Sequence, residues 1–435
     1  MPESDLGARI REVQHPLRDA ADLDPLLERI GDARFVLLGE ASHGTSEYYT
    51  WRHRITERLV REKGFSFVAV EGDWPDCYRV NRYVKAWNGS GADAREVLHA
   101  FDRWPTWMWA NEEVVELAEW MREWNEDRPE ERKVGFYGLD VYSLWDSMDA
   151  VQKYLLRVDP DAAKRARRAY SCFDPYAGDV QEYAMATALV PTSCEQEAVT
   201  MLAEMRRRAP AYREDGREAY FNAEQNALVA RNAELYYRTM VRGGPGSWNV
   251  RDTHMVETLG RLMQHHGPDA RAIVWEHNTH IGDARATDMA RSGIVNVGQL
   301  AREEWGDDDV VLVGFASHRG SVIAGQEWGA PMERMRVPPA REGSWEAVFH
   351  DAGAGDRLVL TDDLAGTGRA MEALGHRAIG VVYSPHAERW GNYVPTVLPL
   401  RYDAVLYIDE THALRPLHLE LHETGEAAET FPSGM

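Results

Sequence analysis

The feature that most constrains this 435-residue chain is a series of short, continuous apolar runs set between longer helical patterns. The runs are Arg34–Gly39, Phe65–Val70, Lys133–Tyr137, Ala272–Trp275, Val310–Phe315, Arg357–Leu360, Ala378–Tyr383 and Ala404–Ile408. Most are apolar throughout rather than alternating, as in strands covered on both faces. Such strands predict an α/β fold with a mostly parallel central sheet flanked by helices. Between Ser143 and His266 the pattern is helical, as in "SMDAVQKYLLRV", "REAYFNAEQNALVARNAELYYRTMV" and "NVRDTHMVETLGRLMQ". One α/β domain over 1–435 is therefore expected, with an all-helical insertion over 143–266 roofing a cleft. The last residues, "HETGEAAETFPSGM", read as a frayed acidic tail.

Several function classes are disfavoured by composition. A net charge of −22 without a dense Lys/Arg patch repels nucleic acid. The apolar runs are strand length, too short to span a bilayer, and the N-terminus lacks the pattern of a signal peptide. No membrane association is expected, and a cytoplasmic location is. The three cysteines, Cys77, Cys172 and Cys194, are widely spaced. They argue against a disulfide framework or a zinc finger and fit a reducing compartment.

The strands share a habit of exiting into polar residues. The first leads to Glu40 and His43, the second to Glu71 and Asp73, and the third to Asp140. The fourth leads to Glu276, His277 and His280, and the fifth to Ser317 and His318. In a parallel sheet these ends share one edge, where ligands of open α/β sheets bind.

The helix after the first strand is expected from a cap at Thr45 or Ser46 to Gly64. Tyr48, Arg52, Ile55 and Leu59 share its inward face. A buried arginine must be paired, so a Glu40–Arg52–Glu71 network supporting His43 is expected. A carboxylate beside an imidazole orients it and raises its basicity, which suits a general base acting on water. Gly44 allows a tight backbone path and close approach of a ligand. The tryptophan-rich stretch Arg103–Trp124 suggests either an aromatic wall, with Trp107 as its candidate, or helix packing. "GEASHG" is one residue too long for a nucleophile elbow. No P-loop or H-E-x-x-H occurs, and "GTG" at Gly366–Gly368 lacks a third glycine. Direct attack by water is favoured over a Ser or Cys nucleophile.

The stretch "LLGEASHGTSEYYTWRHR" resembles the erythromycin esterase family. The likeness continues through "FVAVEGDWPDCYRVNRYV", "KVGFYGLDVYS", "RDTHMVE", "VWEHNTHIGDAR" and "AIGVVYSPHAERWGNYVP". It implies hydrolysis of an ester, in named members a macrolide lactone, without a covalent enzyme intermediate. It implies His43 as general base, accompanied by Glu40, Arg52, Glu71 and the "HNTH" residues His277 and His280. The family also includes proteins labelled as succinoglycan biosynthesis proteins, so the substrate stays open.

Three readings follow. The first is a cofactor-free hydrolase of a small-molecule ester or lactone, with His43, Glu40, Arg52, Glu71 and His280 catalytic. His277, Trp107, Asp140 and His318 would then contact substrate. In the second, His43, Glu71, His277 and His280 hold Zn or Mn with a water at an open position. The third is a non-catalytic binder of a hydrophobic natural product. Oligomeric state has no signature in the sequence.

Overall fold

The computed structural model describes residues 5–176, 179–189, 193–212 and 216–418. The expected acidic tail lies outside the described residues. The strands are β1 (His15–Pro16), β2 (Phe35–Leu38), β3 (Phe67–Asp73), β4 (Gly135–Asp140), β5 (Ala272–Trp275) and β6 (Val310–Ala324). They continue with β7 (Glu333–Val337), β8 (Arg357–Leu360), β9 (Leu374–Arg377), β10 (Tyr393–Thr396) and β11 (Ala404–Thr411).

Nine strands form the central sheet in the order β1-β8-β11-β6-β2-β5-β3-β4, with β7 added to β6. All contacts from β11 to β4 in that order are parallel, while β1, β7 and β8 pair antiparallel. The mostly parallel sheet read from the sequence is present. Its continuous apolar runs have a direct cause. Val36, Leu38 and Ile273 enter the core on one face, and Phe35, Leu37 and Val274 enter the core on the other.

Two strand readings need correction. Ala378–Tyr383 is not a strand of the sheet. It is held by isolated bridges, including Ser42 to Ile379 and Gly325 to Val382. Both sides of β2 are already paired with β5 and β6, so no open edge is left beside it. In addition, β6 does not end at Phe315 but continues to Ala324.

The helix α1 (Ser46–Lys63) starts after Thr45 and stops at Gly64, whose φ of 68° is left-handed. Glycine adopts that conformation without a Cβ penalty, which accounts for the stop. The helix α2 (Trp74–Val84) follows β3. Between Ser143 and His266 the described residues contain helices and no strand. The longest helices there are α3 (Arg217–Met240) and α4 (Gly246–His266). The helices of this region enclose a separate apolar core that includes Leu155, Phe173, Leu228 and Tyr236.

The wide spacing of the cysteines in the sequence does not keep two of them separate in this region. Folding of its helices brings Cys172 and Cys194 to a Cα separation of 5.9 Å, and the two are disulfide-bonded. Cys77 is free and buried. Among the described residues no helix is long and apolar enough to cross a membrane.

Candidate active site

Parallel pairing puts the C-terminal ends of β2, β3, β4 and β5 on one edge. From β2 the chain turns through Glu40 and His43 into α1. Gly44 sits where a Cβ would fall 1.9 Å from the Ile323 carbonyl oxygen. The close approach expected at this glycine is therefore to the backbone of β6, not to a ligand. Gly44 also accepts hydrogen bonds from the Ile323 and Leu414 amides through its carbonyl, both at 3.0 Å. The turn carrying His43 is thereby fixed.

The imidazole is oriented by its acid. His43 Nδ1 donates to Glu40 Oε1 at 2.8 Å, and Arg52 Nη2 donates to Glu40 Oε2 at 2.6 Å. Arg52 lies fully buried on the inward face of α1 with Tyr48, Ile55 and Leu59. Its guanidinium packs 4.2 Å from the Tyr49 ring centre and 4.7 Å from that of Trp275. The Glu40–Arg52 half of the expected network is present. The other half differs, because the ion-pair partner of Glu71 is Arg251 on α4.

Arg251 links three elements. It donates through Nε and Nη2 to the two oxygens of Asp140 at 2.9 and 2.6 Å, and through Nη2 to Glu71 Oε1 at 2.7 Å. A planar fork suits this bidentate geometry. Arg251 Nη1 lies 3.1 Å from His280 Nε2, which must act as the acceptor. The His280 proton then sits on Nδ1, facing Asp252 Oδ1 at 3.0 Å. Trp248 stacks on the His280 ring at 4.5 Å.

Neither Arg251 nor Asp252 was singled out from the sequence, although a signal was available. Trp248, Arg251, Met255, Leu259 and Leu262 recur at helical spacing and are all buried. An arginine on that stripe calls for acids by the same argument that applied to Arg52.

The residues meet beneath a narrow cavity of about 70 Å³. Its polar wall includes His43, Glu71, Asp73, Asp140, Arg103 and Arg251. Its apolar wall includes Phe101, Trp104, Trp109 and Trp328. Among the described residues that line it there is no Ser, Thr, Cys or Lys. Ser42 lies apart, bonded through its hydroxyl to Thr45. Pockets for drug-sized ligands run roughly 300–1,000 Å³. The cavity is thus smaller than a pocket that would enclose a whole drug-sized ligand.

Several predicted residues stand behind the wall. His280 is fully buried and does not line the cavity. His277 is also buried, donating its backbone N–H to Glu71 Oε2 at 2.9 Å, with its ring centre 4.9 Å from that of His43. It lies against both side chains and is not among the residues that line the cavity. Trp107 is buried and packs edge-on against Trp104 at 5.4 Å, so Trp104 is the tryptophan that forms wall. His318 is carried past the cavity by the extension of β6 and stacks on His350 at 3.7 Å. Asp140 does line the cavity.

Burial and neighbouring charges shift these groups in opposite directions. Burial disfavours a charged His43, but Glu71 and Glu40 outweigh it and raise its pKa above the ordinary 6.5. Burial would raise Glu71, yet the Arg251 guanidinium, His43 when protonated and the His277 backbone N–H hold it far below the usual carboxylate range. His277 is pushed well down by burial and by His43. Glu276 is pushed far up by burial, then by Glu71 and Asp252.

The alternative metal set does not fit this arrangement. His280 Nε2, the nitrogen left once Nδ1 faces Asp252, is occupied by the Arg251 guanidinium. The Arg251 guanidinium rests on both Glu71 and His280, where a cation would be repelled. Among the described residues no group of three or more His, Cys, Asp or Glu side chains is spaced to hold a metal.

Comparison with known proteins places the family and the fold. A family model described as erythromycin esterase matches residues 60–411. The chain is 24% identical over 376 residues to an erythromycin esterase type II of Escherichia coli, covering 80% of this chain and 85% of that protein. It is 21% identical over 413 residues to the putative hydrolase YbfO of Bacillus subtilis strain 168, covering 89% and 86%. Among solved structures, a succinoglycan biosynthesis protein aligns with a TM-score of 0.77 at 23% identity, covering 95% of this chain and 98% of that one. A mutant of the erythromycin esterase EreC in its open conformation aligns with a TM-score of 0.69 at 16% identity, covering 92% and 97%. With the family model matching most of the chain, the protein belongs to the erythromycin esterase family, a family of hydrolases.

Proposed function

We propose that the protein is a carboxylic-ester hydrolase that opens an ester or lactone by direct attack of water activated at His43. The observation carrying this reading is the orientation of His43. Glu40 accepts the Nδ1–H hydrogen bond, so Nε2 is left to accept a proton on the cavity side, 4.0 Å from Glu71 Oε1. A water bonded to both atoms fits that separation. The cavity wall offers no Ser, Thr, Cys or Lys nucleophile among the described residues.

In this mechanism His43 Nε2 takes a proton as water oxygen attacks the carbonyl carbon. The imidazolium is stabilised by Glu40 and Glu71. Charge developing on the carbonyl oxygen is met by Arg251, a fixed cation on the wall, which acts more strongly in a site poor in water. Glu71 and Asp140 hold Arg251 in place. Glu40, Arg52, His277 and His280 act from behind by holding the reacting groups.

The substrate presents its ester to a cavity too small for a whole macrocycle, with apolar groups beside the ester resting against Trp104 and Trp328 of its wall. Macrolides, simpler lactones and acyl esters are the substrate classes to screen. Mass-spectrometric detection of a gain of one water, with His43→Ala beside the wild type, tests the reading. Hydrolysis by the wild type and not by His43→Ala is expected. Equal hydrolysis by both removes the role of His43.

A further inference from the structure

The side chains assigned so far act on water and on the carbonyl oxygen. Breaking the ester also releases an alkoxide, which leaves poorly unless a proton reaches it. Asp73, at the end of β3, is a cavity-wall carboxyl left without a task by this mechanism.

The fold aims it deliberately. β3 and β4 pair in even register from Phe67 to Val70, then shift through a bulge before Asp73 comes opposite Asp140. A bulge bends its strand and re-aims a side chain. The crossing is close enough that a Cβ on Gly138 would lie 2.3 Å from the Gly72 carbonyl oxygen. Asp73 Oδ2 accepts from Arg103 Nε at 2.9 Å. Its Oδ1 is buried with no hydrogen-bond partner. Around the carboxyl stand Arg103, Asp140 on β4, and Asp76 on α2, which is paired with Arg79. Glu71, His43 and Arg251 line the same cavity. Burial, followed by Asp140 and Asp76, pushes Asp73 up to about 7 against the pull of Arg103. A proton is thus available near neutrality, and Oδ1 is the unengaged atom to carry it.

We propose that Asp73 is the general acid for the leaving group, its Oδ1–H protonating the alkoxide oxygen as the carbon–oxygen bond breaks. The role rests on the hydrolase reading. Water oxygen forms the new bond to the carbonyl carbon and its proton goes to His43 Nε2. The old carbon–oxygen bond breaks, its electron pair leaves with the alcohol oxygen, and that oxygen takes the Asp73 proton. The proton on His43 returns to Asp73 through solvent, so one ester and one water become one acid and one alcohol.

The test uses two butyrate esters that differ in their need for an acid. 4-Nitrophenolate departs without a proton, whereas ethoxide does not. Asp73→Asn is expected to hydrolyse 4-nitrophenyl butyrate within about threefold of the wild type and to lose roughly 10²–10⁴-fold on ethyl butyrate. Equal losses on both esters overturn the role of Asp73 and leave the hydrolase reading standing. No hydrolysis of either ester by the wild type beyond His43→Ala overturns the hydrolase reading and the role with it. Should Asp73→Asn fail to fold, Arg103→Met supplies a second readout. Removing that cation is expected to move the alkaline fall of ethyl ester activity to higher pH and to leave the 4-nitrophenyl profile in place. An unmoved ethyl ester profile overturns the role.

Discussion

Nδ1 of His43 donates to Oε1 of Glu40 across 2.8 Å, which commits Nε2 to the cavity. The second oxygen of Glu40 holds Arg52, so orientation of the base and neutralisation of a buried cation share one carboxylate. Glu40→Gln is expected to lower kcat by about 10²-fold or more, with a smaller change in KM. It also leaves Arg52 buried without its anion, at a cost of roughly 3–5 kcal/mol. Denaturant unfolding of Glu40→Gln and of the double variant Glu40→Gln, Arg52→Met separates the effects. The double variant is expected to regain stability and not activity.

Arg251 holds two strand ends to α4. Arg251→Met leaves Glu71 and Asp140 buried without a cation, a loss of roughly 3–5 kcal/mol. Adding Asp140→Asn is expected to restore part of the stability while activity stays low. Arg251→Lys keeps the charge without the fork, and its expected signature is a folded protein with kcat reduced more than KM is raised. Steady-state kinetics beside thermal unfolding checks both.

His43 acts as a base only when Nε2 is unprotonated. Its pKa is raised above 6.5, chiefly by Glu71 and Glu40 against burial, so kcat/KM is expected to fall with decreasing pH through a value above 6.5. Glu71→Gln removes a carboxylate that raises it, and the acid limb of the residual activity should move to lower pH. A pH profile of 4-nitrophenyl ester hydrolysis reads this limb without involving Asp73.

The aromatic wall and the core behind it separate by substitution. Trp104→Ala removes part of the apolar cavity wall and is expected to change KM and the range of esters accepted. Trp107→Ala removes a buried ring and should cost roughly 3–5 kcal/mol in stability. Initial rates across a set of esters, with unfolding curves for both variants, distinguish them.

Because a guanidinium lies where the alternative cation would sit, incubation with a chelator is expected to leave the hydrolysis rate unchanged. Loss of activity restored by zinc or manganese would require a different arrangement of Glu71 and Arg251.

Much of the framework was legible because burial leaves a plain mark on sequence. Runs such as Phe35–Leu38 are apolar at every position because both faces of β2 are covered. Arg52 could be placed because it interrupts an apolar helical stripe. Arg251 carries the same mark but lies 180 residues from Glu71, and one sequence gives no direct sign of such a distant pairing. His318 was misplaced because an apolar run does not show where pairing stops, and β6 keeps pairing beyond Phe315. Trp107 and Trp104 stand three residues apart in a tryptophan-rich segment, and only packing decides which becomes wall.

The most direct test of water attack at His43 is a single turnover of an ester in oxygen-18 water, with product acid and intact protein weighed by mass spectrometry. The expected result is one oxygen-18 atom in the acid from the first turnover, with the protein mass unchanged throughout. An unlabelled acid from that turnover, or an acylated protein on the way to it, would contradict direct attack by water.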